Sequence, residues 1–161
     1  MSEVRIAGPE DLDAVMGLAL AACKENGFVN PNPDKVAHEF WSALHLDHGI
    51  VGLIGNPGEQ AEAGVLLRIG SMWYSDEMVV EEKAIFIHPD FRSAKDGRAK
   101  KLCQFSKSVA DSLNIPLMIG VLSNDRTEAK VRMYEREFGK SAGAYFLYGS
   151  KTGSWNKAAE Q

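Results

Sequence analysis

The sequence predicts a mixed α/β (α+β) domain, in which a sheet is flanked by helices, and three observations indicate this class. Apolar residues spaced at periods of two and of 3.6 predict strands and helices in the order β-α-α-β-β-β-α-β-α-β. Two consecutive hairpins favour an antiparallel start to the sheet over a doubly wound nucleotide-binding fold. The length of 161 residues suits one domain with a substantial core.

Five elements are predicted in the first 70 residues. Gly8 and Pro9 end a short first strand, and Pro9 with its acidic neighbours begins a helix that Gly27 ends. The turn at 30–33, with two Asn-Pro pairs, separates this helix from a second helix that begins at Asp34. The ranges are strand 3–7, helix 9–26, a helix from 34 to about 44, strand 50–54 and strand 63–69.

The second half of the chain contains the longest strand and its following helix. A mostly apolar, β-branched run at 79–87 predicts a buried strand, which Pro89 breaks. From Gly97 the apolar residues recur every three or four positions to Leu113, the spacing of a helix. The remaining elements are a buried strand at 116–122, a helix at 127–138 with Thr127 as candidate N-cap, and a final strand at 142–148. The domain is predicted to cover residues 1–150, with a polar tail at 151–161.

The turn between strand 79–87 and its helix suits a phosphate-bearing ligand. It carries Arg92, Lys95, Gly97 and Arg98, and the six basic residues of 92–107 minus Asp96 give a local charge of +5 in a chain of net charge −4. The first N–H groups of a helix have no partners within the helix, and the helix dipole favours an anion there.

This stretch resembles the acetyl-CoA-binding segment of the GNAT superfamily of N-acetyltransferases. In that family a strand ends in a V-x-P-like turn followed by [Q/R]-x-x-G-x-[G/A]; here residues 87–91 (IHPDF) are followed by residues 92–97 (RSAKDG). Lys95 stands where the family has its first glycine. The order of elements is also similar over nearly the whole chain, and residues 127–136 resemble the family's helix that ends in a Tyr-Glu pair. The resemblance implies the GNAT fold, a mixed central sheet of about six to seven strands flanked by about four helices.

The resemblance further implies an N-acetyltransferase that moves an acetyl group from acetyl-CoA, its co-substrate, to a primary amine by direct attack. Backbone N–H groups of residues 93–98 would contact the phosphates, with side-chain charge as support. The implied donor-binding residues are Ile85, Phe86, Ile87, Arg92, Ser93, Ala94, Lys95, Asp96, Gly97, Arg98, Ala99 and Asn124. Because Lys95 departs from the family pattern, the alternative is a catalytically degenerate GNAT-fold module that binds CoA or a protein partner.

Three catalytic candidates follow from the same resemblance. Tyr134 matches the family's tyrosine near the cofactor thiol, where a phenol can protonate the leaving thiolate; the alternative is a helix tyrosine that packs on the sheet. Glu81 and Glu82 lie on the strand where family members often place a base. Adjacent strand residues face opposite sides, so at most one of them is expected to face a given pocket. His88 is a further candidate base, and the sequence does not choose among the three.

Composition excludes several other classes. The net charge of −4 and pI near 5.6 argue against a general nucleic-acid binder. No apolar run approaches the ~20 residues that span a bilayer, and the acidic start lacks signal-peptide features, so the cytoplasm is the expected location. Cys23 and Cys103 are expected to be buried reduced thiols. His45 and His48 lack a completing ligand motif, so no metal is expected.

The acceptor is predicted only as a small-molecule or peptide amine. Four acidic residues near the sheet suggest a cationic amine such as a polyamine, lysine or aminosugar. They are Asp76, Glu77, Glu81 and Glu82. The sequence leaves a homodimer open, and neither a nucleic-acid partner nor a membrane is expected.

Overall fold

The computed structural model describes residues 3–27, 29–92, 97–122 and 127–149. Its elements are β1 Arg5–Ile6, α1 Leu12–Asn26, α2 Pro33–Leu44, β2 Gly49–Ile54, β3 Ala63–Ser71, β4 Met78–Ile87, α3 Arg98–Leu113, β5 Leu117–Met118 and α4 Thr127–Phe138. Short 3₁₀ turns at Pro9–Asp11 and Pro89–Phe91 precede α1 and follow β4. The five strands form one sheet in the order β1-β2-β3-β4-β5, antiparallel except that β5 runs parallel to β4.

The sheet has helices on both faces, and each face has its own apolar cluster. Val51 and Leu53 of β2 point to the side of α1 and α2, where Val15 and Leu44 join the same cluster. Ile54, one position on, points to the opposite side and packs with Leu102 and Val109 of α3. This alternation is the ordinary consequence of strand geometry, and it means that β2 is buried on both faces.

A β-bulge interrupts the alternation along β4. Leu66 of β3 pairs with Ala84, and the next residue, Leu67, pairs with Glu82, which leaves Lys83 as an extra residue. The bulge switches the parity of the strand, because Val80 before it and Ile85 after it pack in the same cluster against α3. Glu82, two positions from Val80, therefore faces the α3 side as well.

The sheet splits after the first two pairs of β4 and β5. Val80 pairs with Leu117 and Glu81 pairs with Met118, and no further pair of these strands occurs within the described residues. From Glu82 onward, the edge of β4 that faces β5 has no strand partner in the described part of the chain. The two strands thus form the arms of an open V.

The predicted element order is confirmed from β1 through α4, and the described residues form the mixed sheet and four α-helices that the resemblance implied. The Gly27 helix end also agrees, since Gly27 is the left-handed C-cap of α1. Thr127 is the first residue of α4, and the position before it lies outside the described residues.

Of the two strands predicted near the C-terminus, the first is shorter than predicted and the second is wrong. The strand expected at 116–122 is a strand only at Leu117–Met118, and Met118 and Leu122 are each about two-fifths exposed. The strand expected at 142–148 does not form, and Tyr145, Phe146 and Tyr148 are largely exposed. Apolar β-formers need a strand edge and a face to cover, and the two-residue β5 offers a short edge. The sheet consequently has five strands among the described residues rather than six to seven.

The start of the chain is fixed by one buried carboxylate, and this gives a test of the fold. Both Oδ atoms of Asp11, which is only 4% exposed, accept hydrogen bonds from the Arg5 guanidinium at 2.8 and 2.9 Å. Asp11 also accepts from the Gly8 N–H at 2.9 Å. The hydrogen bond from Arg5 lowers the pKa of Asp11, against an opposing effect of burial.

We expect Asp11→Asn to lower the free energy of unfolding by about 1.5–3 kcal/mol at pH 7, the range for hydrogen bonds to charged groups. A lowered folded-state pKa stabilises the protein above the unfolded value of about 4, and this stabilisation is lost as the pH falls. The difference in unfolding free energy between the unaltered protein and Asp11→Asn, measured by urea denaturation, should therefore become smaller below about pH 4. Asp13→Asn, at an exposed position of α1, is the control. A difference that stays constant down to pH 3 would contradict this account.

Candidate active site

The V between β4 and β5 opens into the large cavity, a space of about 770 Å³. Residues of β4 form one wall of the cavity, and the chain after β5 forms another. The C-terminal end of α1, the N-terminal end of α3 and one side of α4 complete the lining. The lining comprises Ala22, Glu25, Asn26, Glu81, Glu82, Lys83, Ala84, Ile85, Phe86, Ile87, Arg92, Ala99, Met118, Ile119, Gly120, Val121, Leu122, Ala129, Lys130, Met133, Tyr134 and Tyr145.

The N-terminus of α3 lies beside the large cavity. Gly97 is the N-cap residue with φ 71° and ψ 29°, a left-handed conformation that glycine adopts without steric cost. Ala99, in the first turn of this 16-residue helix, lines the cavity. The positive end of the helix dipole is therefore close to the cavity wall. The predicted contacts of Ser93, Ala94, Lys95, Asp96 and Asn124 lie outside the described residues.

Arg92 lines the large cavity but is held by protein groups. Its Nε donates to the Ile87 carbonyl at 2.9 Å, and its two terminal nitrogens donate to both carboxylate oxygens of Glu25 at 2.9 and 2.6 Å. The guanidinium also lies 4.9 Å from the centre of the Phe86 ring. These hydrogen bonds connect the C-terminal end of α1 to the end of β4, and the Glu25 carboxylate offsets the charge of Arg92.

The side chain of Arg98, a predicted donor-binding residue, contacts protein groups in this structure. Its side chain is only 9% exposed and pairs with Glu62, Nε to Oε2 at 3.1 Å. The guanidinium lies 4.9 Å from the centre of the Phe91 ring. Arg98 is not among the cavity-lining residues, and in this conformation it fastens the turn before α3 to the β2–β3 connection.

Among the described carboxylates, the pKa of Glu82 is strongly altered by its surroundings. Burial raises its pKa from 4.5 to about 7, and the charge of Glu81 adds to the rise. A hydrogen bond from the Gly120 N–H, at 3.4 Å from Oε2, and the charges of Lys130 and Lys83 oppose it. At neutral pH Glu82 is therefore partly ionised, as a group that exchanges protons with a substrate must be.

Glu81 and His88 have less suitable surroundings for the same task. The Glu81 side chain is 46% exposed and accepts a hydrogen bond from Lys83 Nζ at 3.0 Å. Both glutamates line the large cavity, although at most one was expected to face a given pocket. His88 lies outside the lining: its Nδ1 accepts from the Asp90 N–H at 3.2 Å, and its Nε2 contacts the Gln60 amide at 2.9 Å.

Tyr134 shares the large cavity with Glu82. Burial raises its pKa well above the ordinary 10, and the Glu82 and Cys103 charges raise it further, so the phenol keeps its proton at neutral pH. Its ring lies 5.9 Å from that of Phe138 in an edge-to-face arrangement. The structure thus places the predicted acid and two of the three predicted bases, Glu81 and Glu82, in the lining of one cavity.

Several residues of this site were not predicted from the sequence. Lys130 precedes Tyr134 by four positions on α4, so helical spacing places both on one face and could have indicated it. Gly120 and Glu25 had no sequence signal, because their roles depend on the split of the sheet and on the end of α1. Cys103 is buried as expected, and burial first, then Glu137 and Glu82, raises its pKa to about 12.

The acidic residues suggested for the acceptor are separated in the structure. Glu81 and Glu82 line the large cavity, whereas Asp76 and Glu77 are exposed in the connection between β3 and β4 and do not line it. No group of three or more His, Cys, Asp or Glu side chains within the described ranges could hold a metal ion. No helix in the part of the chain that the structure describes is both long and apolar enough to cross a membrane.

Comparison with known proteins gives a fold but no sequence relative. No protein-family model and no curated protein matches the sequence. Among solved structures, an integron cassette protein from the salt-marsh metagenome of Cole Harbour is similar, with a TM-score of 0.69, 18% identity, and coverage of 92% of this chain and 90% of that chain. A possible acetyltransferase from Clostridium difficile 630 is similar with a TM-score of 0.67 and 16% identity over 91% and 96% of the two chains.

A third similar structure is that of the aminoglycoside N-acetyltransferase AAC(6')-Iy with a bisubstrate CoA analogue. Its TM-score is 0.68 at 17% identity, with coverage of 94% of this chain and 99% of that chain. The chain therefore has the fold of the GNAT acetyltransferases, as the resemblance around residues 87–97 implied.

We expect Glu82 to titrate near pH 7 in carbon-detected NMR of the side-chain carboxylates. Because its folded-state pKa is raised, the unfolded chain loses its proton first as the pH rises. The stability of the unaltered protein relative to Glu82→Gln should therefore fall between about pH 4.5 and 7, by at most about 3 kcal/mol.

Glu81→Gln is the matched control for this titration. In this variant the Glu82 carboxylate should still titrate close to neutral pH. Its pKa should be slightly lower than in the unaltered protein, because the charge of Glu81 helps to raise it. A resonance of Glu82 that titrates below pH 5 would contradict the burial argument.

Proposed function

We propose that the protein is an N-acetyltransferase that transfers an acetyl group from acetyl-CoA to a primary amine by direct attack. The observation that carries the proposal is that Glu82 and Tyr134 meet in one cavity at the split of β4 and β5. The similar solved structures support it, since they include acetyltransferases, and one was determined with CoA and with a bisubstrate CoA analogue.

The chain offers suitable groups for each part of an acetyl-CoA molecule. The edge of β4 at Ile85–Ile87 has no strand partner among the described residues, although the Ile87 carbonyl accepts from Arg92, and it can hydrogen-bond an extended, amide-containing arm as a strand partner would. Gly97 and the first turn of α3 can receive phosphate oxygens. The large cavity of about 770 Å³ is within the range of small-molecule and cofactor sites.

Glu82 is the proposed base. An amine must lose a proton before or during its attack on a thioester, and acetyl-CoA, when bound, supplies that thioester. A carboxylate with a pKa of about 7 accepts a proton more readily than one with a pKa of 4.5, and it is still partly ionised at neutral pH. The proton would pass from the amine nitrogen to Glu82 directly or through one water.

Tyr134 is the proposed acid. As the C–N bond forms and the C–S bond breaks, the sulfur takes the bonding electron pair and needs a proton. The phenol of Tyr134 keeps its proton at neutral pH because burial and Glu82 raise its pKa, so it can supply that proton. Acid and base would thus act at opposite ends of one displacement, with no covalent enzyme intermediate.

The donor site can be tested with two substitutions at Gly97. Aspartate and asparagine both tolerate the left-handed conformation better than other side chains and are nearly equal in size. Only aspartate adds a negative charge at the helix N-terminus, where it would repel phosphate. In calorimetry, we expect Gly97→Asp to weaken acetyl-CoA binding at least about 10-fold relative to Gly97→Asn, and the difference to shrink at high salt. Equal affinities in the two folded variants would place the phosphates elsewhere.

The proton donor can be tested with Tyr134→Phe. This change keeps the ring and its packing on Phe138 but removes the phenolic proton. We expect kcat to fall by about 10²–10⁴-fold, with the KM values of both substrates nearly unchanged. Tyr74→Phe, at an exposed position outside the large cavity, is the control. Full activity of Tyr134→Phe, or a defect confined to acceptor KM, would assign Tyr134 to packing or substrate binding.

A further inference from the structure

A second cavity of about 240 Å³ lies on the opposite face of the sheet, between α1, α2 and strands β2 to β4. Its walls are mainly aliphatic and aromatic. They include Val15, Leu18 and Ala19 of α1, Val36 and Phe40 of α2, and Val51, Leu53, Leu66 and Phe86 of the sheet. Val15, Val51 and Leu53 are each at most 2% exposed, so the floor of this apolar cavity is within the core.

The apolar cavity adjoins the large cavity at the bulge of β4. Five residues line both spaces: Ala22, Asn26, Lys83, Ala84 and Phe86. Glu82 faces the α3 side of the sheet, and the apolar cavity lies on the α1 and α2 side. The two cavities therefore lie side by side around β4, the reacting groups in one and the apolar walls in the other.

The charged groups at the apolar cavity are already paired. Glu39 accepts a hydrogen bond from Arg68 Nη1 at 2.9 Å, and Lys83 donates to Glu81 at 3.0 Å. Burial raises the pKa of the Cys23 thiol, which keeps that group neutral. A second ammonium group placed here would have to displace Arg68 from Glu39 or lose its hydration without a new partner. The apolar cavity therefore disfavours polycations and favours an apolar group.

The size of the space indicates how large that group is. An apolar protein cavity of about 150 Å³ can hold benzene, so about 240 Å³ suits a phenyl ring with a short linker or an alkyl chain. Burying such a group contributes about 1.5–3 kcal/mol, which corresponds to roughly a 10- to 100-fold gain in affinity.

We propose that the apolar cavity holds the body of the acceptor, and that the preferred acceptor is a primary amine with a single charge and an aryl or alkyl group. This inference rests on the proposed acetyl transfer and narrows its substrate class. It replaces the cationic acceptor suggested by the acidic residues of the sequence, two of which, Asp76 and Glu77, do not line either cavity.

The first experiment compares acceptors with the full-length protein and acetyl-CoA. Phenethylamine and hexylamine should give kcat/KM values about 10- to 100-fold above those of spermidine and glucosamine. A preference for spermidine or glucosamine would overturn the inference and leave the proposed acetyl transfer in place. A preference for octanoyl-CoA over acetyl-CoA, sensitive to filling of the apolar cavity, would assign that cavity to the acyl chain and would also overturn it.

The second experiment fills the apolar cavity. Ala19→Leu adds three carbons to its wall, and Ala21→Leu makes the same change on the same helix at a residue that lines neither cavity. We expect Ala19→Leu to raise the KM for phenethylamine at least about 10-fold and Ala21→Leu to leave it unchanged. Thermal unfolding and acetyl-CoA calorimetry establish that both variants fold. Equal KM values for the two variants would overturn the inference.

A third measurement keeps the inference separate from the proposed function. Saturation-transfer NMR with phenethylamine and the unaltered protein needs neither acetyl-CoA nor turnover. A signal from the unaltered protein and from Ala21→Leu, but not from Ala19→Leu, would support the apolar site even if acetyl-CoA failed to bind. The absence of a signal from the unaltered protein at millimolar phenethylamine would overturn the apolar site, whatever the outcome with acetyl-CoA.

Discussion

The two-residue pairing of β4 with β5 is the constraint on which the rest of the site depends. Beyond Val80 and Glu81, the backbone groups on one edge of β4 have no strand partner in the described part of the chain. Buried backbone groups need hydrogen-bond partners, so this edge favours an extended, amide-bearing ligand or ordered water. The same divergence leaves the large cavity and determines which β4 side chains reach it. Longer pairing would close the site, and no pairing would remove the wall formed by Met118–Leu122.

The bulge at Lys83 connects the two faces of the sheet. Without it, Glu82 and Ile85 would point to opposite sides, because strand positions three apart alternate in direction. With it, Glu82, Ile85 and Ile87 all face the α3 side, while Phe86 packs with the α1 and α2 cluster. The apolar cavity and the large cavity meet at this irregularity. Lys83 and Ala84, at the bulge, line both cavities, so the irregularity lies between the proposed donor and acceptor sites.

The sequence was sufficient for features that depend on local patterns. Gly27 and Gly97 mark helix ends because their left-handed conformations are local, and β4 and α3 follow from the spacing of apolar residues. Long-range features were not accessible. The sequence shows Arg98 only as one residue of a basic turn. Its side chain is buried against Glu62, which is 36 residues away along the chain. The aromatic run at 142–148 has strand propensity, yet propensity cannot show whether a partner edge exists. The bulge has no composition signal, and for that reason parity along β4 could not decide between Glu81 and Glu82.

Desolvation raises the pKa values of both proposed catalytic groups, and both changes suit the proposed roles. Desolvation disfavours the charged form of any acid, so it raises the pKa of Glu82 to about 7 and that of Tyr134 well above 10. Because the ordinary pKa of a carboxyl is far below that of a phenol, an upward shift of both pKa values leaves the carboxyl partly ionised and the phenol fully protonated at neutral pH. Their charges also repel, so an ionised Glu82 further stabilises the protonated form of Tyr134. Exposing the two side chains to water would lower both pKa values together, so their shared burial, rather than either residue alone, is the basis of the proposed acid–base pair.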